Sequence, residues 1–276
     1  MEMKAEKILY VTQEINPYVP ESELTPIGHD LPIETIEQGR EIRAFMPKWG
    51  NINERRNQLH EVIRLSGLNI VVNDTDHQLI IKVASIVGTR MQVYFIDNED
   101  FFAKRLAEKD KEGREYDDNV ERAAFYARGV LETVKKLRWV PNVVHCQGWI
   151  SALVPLYLKT AYADEPSFRD CQIIYTVSDN QLTHPIEKTL LQDIVAYRNA
   201  NGSCFKEFND TIVPNDLHLL AIKYADGVNL LHPNAEALAY AQAQQKLILE
   251  GRPSSQAYID LYDKVWSQNR KSSNED

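Results

Sequence analysis

Apolar residues cluster first at Lys7–Thr12 (KILYVT), a short β-branched and aromatic run directly after a charged start. Runs of this kind, apolar on both faces, open parallel sheets. A second strand is predicted at Glu41–Met46 (EIRAFM), stopped by Pro47 and Gly50, with Ile33–Gln38 as the crossover helix and Gly39 at its end. Further on, Leu59–Val72, Leu79–Val87 and Met91–Ile96 alternate apolar and polar side chains. With Asn73-Asp74 and Gly88-Thr89 as breaks, this region reads as hairpins.

From Asp117 to Leu137 the period changes to that of a helix, with Val120, Ala123, Ala124, Ala127, Leu131 and Val134 on one face. Asp117 or Asp118 is placed to cap it, and Lys135 and Lys136 suit its C-terminal end. Strand and helix then alternate: strand Val143–Cys146, helix Ile150–Thr160, strand Gln172–Val177, helix Asp216–Tyr224, strand Gly227–Leu231. That order predicts an α/β fold, a mainly parallel sheet with helices on both faces and a β-hairpin insertion near residues 59–87. Residues 236–267 read as a helical C-terminal extension packed on a domain spanning 1–235, and 268–276 as a disordered polar tail.

Composition narrows the partners. The 31 Lys and Arg against 40 Asp and Glu give a net charge of -9, which argues against a nucleic-acid partner. Cys146, Cys171 and Cys204 lie far apart, with no paired spacing for zinc or disulfides, so a reducing cytoplasm is the expected setting. Ile8–Val11 is too brief for a signal sequence, and no later window approaches a membrane span.

Five segments taken in order carry a family resemblance: KILYVTQEINPY at Lys7–Tyr18, QGREIRAFMPKWG at Gln38–Gly50, VYFIDNEDFF at Val93–Phe102, YDDNVERAAFYARG at Tyr116–Gly129 and NVVHCQGWISALVPLYLKTAY at Asn142–Tyr162. Together they resemble the glycogen/starch synthase family, whose members transfer glucose from a nucleotide-glucose donor to an α-glucan. The last segment follows the family pattern VVHCHDWQTALVPLYLKT most closely. The resemblance runs over roughly residues 7–235 and implies a Rossmann-like domain, the N-terminal half of a GT-B glycosyltransferase. It further implies a second domain carrying most donor contacts, which this chain is expected to lack.

The departures fall on positions that the resemblance assigns to the sugar nucleotide. The family's KTGGL loop aligns with Pro20, Glu21, Ser22, Glu23 and Leu24, so the lysine and both glycines are gone and the loop carries two carboxylates that would repel a diphosphate. The second histidine and the aspartate of HCHDW align with Gln147 and Gly148, while Trp149 remains. The TIHN strand end aligns with Thr176, Val177, Ser178 and Asp179, with Asn180 one place further on. A segment near the family's VSPTYA survives as LLHPNAEA at Leu230–Ala237.

By family position, Asp118, Asn119, Gln147, Trp149 and Asn180 are the candidate substrate-binding residues. Simpler readings stand beside each: Asp118 as a helix cap with Arg122 as a surface arginine, and Trp149 as core. His145 reads as a satisfied core histidine and His184 as loop. Glu14, Glu21 and Glu23 could form an acid/base pair, although a solvated loop is the simpler reading. No histidine has metal-ligand spacing and no serine a nucleophile elbow, so neither a metal nor a cofactor is expected.

These features predict a non-catalytic, α-glucan-binding or regulatory relative. The alternatives are a glucosyltransferase that uses ADP-glucose together with a separate donor-domain chain, and a protein-interaction module without glucan affinity. Any ligand is expected outside the C-terminal ends of the strands, near residues 14–23, Asp118, 147–149 and 178–180.

Overall fold

The computed structural model describes residues 4–179 and 182–272. The expected strands, joined by one that the residue pattern did not announce, form a nine-stranded sheet. Its centre is β1 (Lys7–Thr12), flanked by β2 (Glu41–Pro47) and, on the other side, by β8 (Val143–Gln147), both parallel to it. Beyond β8 the parallel order continues through β9 (Gln172–Val177), β12 (Gly227–Leu230) and β13 (Leu247–Glu250). Every residue of β8 and β9 is buried, as strands covered by helices on both sides must be.

On the β2 side, β7 (Gln92–Asp97) pairs parallel with β2 and antiparallel with β6 (Ile80–Ser85), and β3 (His60–Glu61) closes the edge against β6. β4 (Asn69–Val72) and β5 (Thr75–Gln78) form a separate hairpin whose turn residues, Asn73 and Asp74, both adopt positive φ. The alternating region is therefore an insertion, as expected, but one that also extends the main sheet.

α1 (Leu31–Glu37) follows a π-helical turn at Pro26–Asp30 and packs with α7 (Ser255–Ser272). α2 (Asn119–Leu137), α3 (Val154–Lys159), α4 (Lys188–Val195) and α5 (Pro214–Tyr224) gather on the opposite side. α6 (Ala235–Ala243) leads to β13, and β10 (Ile186–Glu187) with β11 (Thr211–Ile212) makes a small ladder beside α4. The helix expected over Ile150–Thr160 is split into a 3₁₀ turn at Trp149–Ser151 and α3, which starts just before Pro155. Proline has no N–H to continue a preceding turn.

Alternation along the strands sends neighbouring side chains to opposite helix layers. Tyr175 reaches His218 of α5 at 2.7 Å, whereas Thr176 and His145 face α7. His145 is fully buried, with Tyr262 Oη and Thr176 Oγ1 each at 2.8 Å, and burial pushes it down to about 3. It is the satisfied core histidine expected from the sequence.

Two boundaries need correction. Residues 236–267 are not a helical appendage: β13 is a strand of the main sheet, and α7 buries Tyr258, Ile259, Leu261, Tyr262, Val265 and Trp266. A three-residue apolar run such as Leu247–Leu249 cannot be assigned to strand or helix by period alone. The last helix also runs to Ser272, past the expected start of the tail at Gln268.

Candidate functional site

Strand order reverses direction between β1 and β8, which puts the crevice of an open α/β sheet beyond their C-terminal ends. At the end of β8 the chain turns at Gly148, with φ 81 and ψ 160, a region essentially restricted to glycine. A Cβ there would lie 2.6 Å from the Gln13 side chain, so the turn is pressed directly onto the segment after β1. Gln147 is wholly buried, and among the described residues neither its amide nitrogen nor its oxygen has a hydrogen-bond partner. Unpaired buried polar atoms are costly, which marks this position as unusual.

Trp149 is 3% exposed, its ring 6.3 Å from that of Trp49, and its indole N–H is likewise unpartnered. Trp49 continues the stack to Arg122, whose guanidinium lies 5.2 Å from the ring centroid. The core reading of Trp149 holds for its packing.

At the start of α2 the sequence reading needs two corrections. Asp118 occupies the cap position, but its carboxylate makes no capping bond. It pairs instead in a fork with Arg105, whose Nη1 donates to Oδ2 at 2.6 Å and whose guanidinium lies 4.2 Å over the Tyr116 ring. A charged two-point partner outcompetes a single backbone N–H.

Arg122 is not a surface residue. It is fully buried and donates to the carbonyls of Phe101 (3.0 Å), Leu106 (2.7 Å) and Ala107, and to Asn119 Oδ1 (2.7 Å). Burial, with Arg105 nearby, draws it down to about 9. Asn119 is tied as well, since its Nδ2 donates to the Glu108 carbonyl at 2.9 Å.

Beside this helix start lies a cleft of about 460 Å³, lined among others by Tyr116, Asp117, Asp118, His184, Leu190 and Val213. Glu115 fixes its far wall, accepting from the Thr183 N–H (2.8 Å) and hydroxyl (2.7 Å). His184 is a half-exposed loop residue 3.5 Å from Asp117.

The loop after β1 is held by its own side chains. Ser22 Oγ donates to Glu14 Oε1, and burial, opposed by that bond and reinforced by Glu108 and Glu23, raises the Glu14 carboxyl above its usual range. Gly28 lets the following turn press onto this segment, because a Cβ there would lie 2.4 Å from the Glu14 carbonyl oxygen. Glu21 is exposed, whereas Glu23 turns in to pair with His232, and Arg252 stands 3.6 Å away. Asp179 Oδ2 lies 3.8 Å from the same nitrogen, His232 Nε2.

Of the five candidates from sequence, the fold thus places Gln147 and Trp149 at the end of β8 and Asp118 and Asn119 at the start of α2, joined through the Trp149, Trp49 and Arg122 stack. Asn180 lies outside the described residues. Sequence reasoning missed Arg105, Glu115, His232 and Arg252, whose partners are distant along the chain, and placed Asp179 near the crevice without its partner His232. Folding also brings Glu23, Asp179 and His232 together, a grouping that spacing along the chain did not show.

Comparison with known proteins places these features. The starch synthase catalytic domain family matches residues 7–239. Glycogen synthase of Chlorobium limicola is 34% identical over 231 residues, 83% of this chain and 44% of that protein. The glycogen synthase of Pelodictyon phaeoclathratiforme is 37% identical over 172 residues, 62% of this chain and 35% of that protein. The chain therefore spans less than half the length of these relatives. Among solved structures, the catalytic domain of starch synthase IV from Arabidopsis thaliana, bound to ADP and acarbose, superposes with a TM-score of 0.71 at 15% identity, over 90% of this chain and 51% of that one. At that identity the match speaks for the fold alone. Among the described residues, no helix is long and apolar enough to cross a membrane.

Proposed function

The chain belongs to the starch synthase catalytic domain family, and from that premise we propose that it is a non-catalytic relative that binds α-glucan without transferring glucose. The observation that carries this reading is the loop after β1. It holds Pro20 where the family carries its lysine and Ser22 and Glu23 where it carries its glycines, with Glu21 between them, and Glu23 is already engaged by His232 and Arg252. A nucleotide diphosphate arriving there meets carboxylates at short range and no array of free backbone N–H groups. Gln147 and Gly148 withdraw two further anchors of the family's glucose site.

The cleft at the start of α2 offers what a sugar polymer needs. Tyr116 supplies an aromatic face, Asp117 and Asp118 supply hydroxyl acceptors, and Leu190 and Val213 supply apolar surface. Of ADP and acarbose, both bound by the Arabidopsis neighbour, this reading expects only the second class of ligand here. A second reading, glucosyl transfer completed by a donor-domain chain, is favoured by the naming of the relatives as glycogen synthases and by the 44% of their length that is matched.

The test is to incubate the full chain with ADP-glucose and glycogen, measuring glucose incorporation and co-sedimentation in parallel. The expected result is sedimentation with glycogen, no incorporation, and a severalfold smaller pelleted fraction for Tyr116→Ala. Robust transfer by the chain alone overturns the proposal, as does failure to sediment. Transfer only after addition of a relative's C-terminal domain supports the second reading.

A further inference from the structure

Glu23, Asp179 and His232 come from three segments, the loop after β1 and the ends of β9 and β12, and they meet on one side of the strand crevice. One ligand atom from each lies within 4.8 Å of the others. We propose that these three side chains form a binding site for a divalent transition-metal ion of the zinc class.

The geometry is close to what such an ion requires. Metal–ligand bonds of about 2.1 Å in a tetrahedron separate the ligand atoms by about 3.4 Å. His232 Nε2 and Asp179 Oδ2 are 3.8 Å apart, and His232 already touches Glu23. Two adjustments are needed: Asp179, whose side chain is 73% exposed, closes by a few tenths of an ångström, and the Glu23–His232 hydrogen bond opens by about an ångström to admit the ion. Glu23 and His232 are 26% and 32% exposed and already adjacent.

The donor set decides the class of ion. One imidazole with two carboxylates favours zinc-like ions over magnesium and calcium, which take oxygen ligands almost exclusively. Two carboxylates offset the charge of a dication, and three protein ligands leave a fourth position for water or an anionic oxygen. At present the only nearby cationic side chain described is Arg252, 3.6 Å from Glu23 and 63% exposed. With Arg252 largely solvated, this ion pair is weak, so an incoming dication can displace it. Binding would pin the loop after β1 to the ends of β9 and β12. The inference stands whether or not the domain binds glucan.

Isothermal titration of the tag-free full chain with Zn²⁺, Mg²⁺ and Ca²⁺, with Co²⁺ as an absorbing substitute, tests it. One Zn²⁺ is expected per chain with micromolar affinity, weakened about 100-fold in His232→Ala and in Asp179→Asn. Mg²⁺ and Ca²⁺ are expected to bind far more weakly. Co²⁺ should give the visible absorption of a four-coordinate site, lost in His232→Ala. Arg252→Ala should bind Zn²⁺ more tightly than the unmodified chain, an effect that a ligand site elsewhere would not produce. Circular dichroism verifies that each variant is folded. Absence of saturable Zn²⁺ binding, or binding unchanged by His232→Ala and Asp179→Asn, overturns the proposal.

Discussion

The start of α2 and the mouth of the sheet beyond β1 and β8 both carry polar residues at positions that matter in the family, yet they treat them in opposite ways. At α2 the polar groups are met by the chain itself: Arg122 by three carbonyls and Asn119, Asn119 in turn by Glu108, and Asp118 by Arg105. At the mouth, Gln147 is buried without partners among the described residues, Glu14 is held above its usual carboxyl range, and Glu23, His232 and Asp179 face one another. A family position can thus be kept for architecture in one region and rewritten in another. Satisfied polar groups mark the first case and uncompensated ones the second.

Substitutions can break this contrast, beginning with the largest effect. Arg122→Leu should cost about 4 kcal/mol in urea unfolding, because it strands several buried acceptors at once. A loss under about 1 kcal/mol would mean that Arg122 is not the staple of this loop. Next, Gly148→Ala should cost about 3 kcal/mol by the same measurement, from positive φ and collision with Gln13 together.

Glu14→Gln sharpens the comparison through pH. A carboxyl raised by folding contributes stability that is complete below its unfolded value, near 4.5, and is lost as pH climbs through the folded value. The glutamine variant should therefore melt a few degrees higher than the parent at pH 7, with the gap closing at pH 4. Equal gaps at both pH values would remove the charge argument. Smallest of all, Asp118→Asn should cost about 1 kcal/mol or less, since its ion pair with Arg105 is partly solvated.

Much of this fold was legible in the residue pattern, and the exceptions share a cause. β1, β2 and β9 announce themselves as apolar runs, and the Asn73-Asp74 turn as a break between alternating segments. β13 escaped because its short run is compatible with either period once Ala- and Gln-rich helix surrounds it. Asp118 looked like a cap because local sequence shows the helix it precedes and not the arginine that claims it. Arg122 looked exposed because a buried guanidinium is recognisable only by the carbonyls that surround it. The meeting of Glu23 with His232 spans 209 positions, so no spacing rule could have found it.

Among the contacts that α7 makes, one fixes the order of events during synthesis. Asp263 accepts from the Ala5 N–H at 2.7 Å and from both terminal nitrogens of Arg40, at 2.7 and 2.8 Å, while Arg40 also donates to the Ala5 carbonyl at 2.7 Å. The residues so joined are 258 apart along the chain. During synthesis β1 must therefore wait for the 258 residues that separate Ala5 from Asp263 before α7 can close over it. Contacts of such long range are slow to form, and in the interval His145 lacks its Tyr262 partner while Tyr10 has only Thr35 of α1.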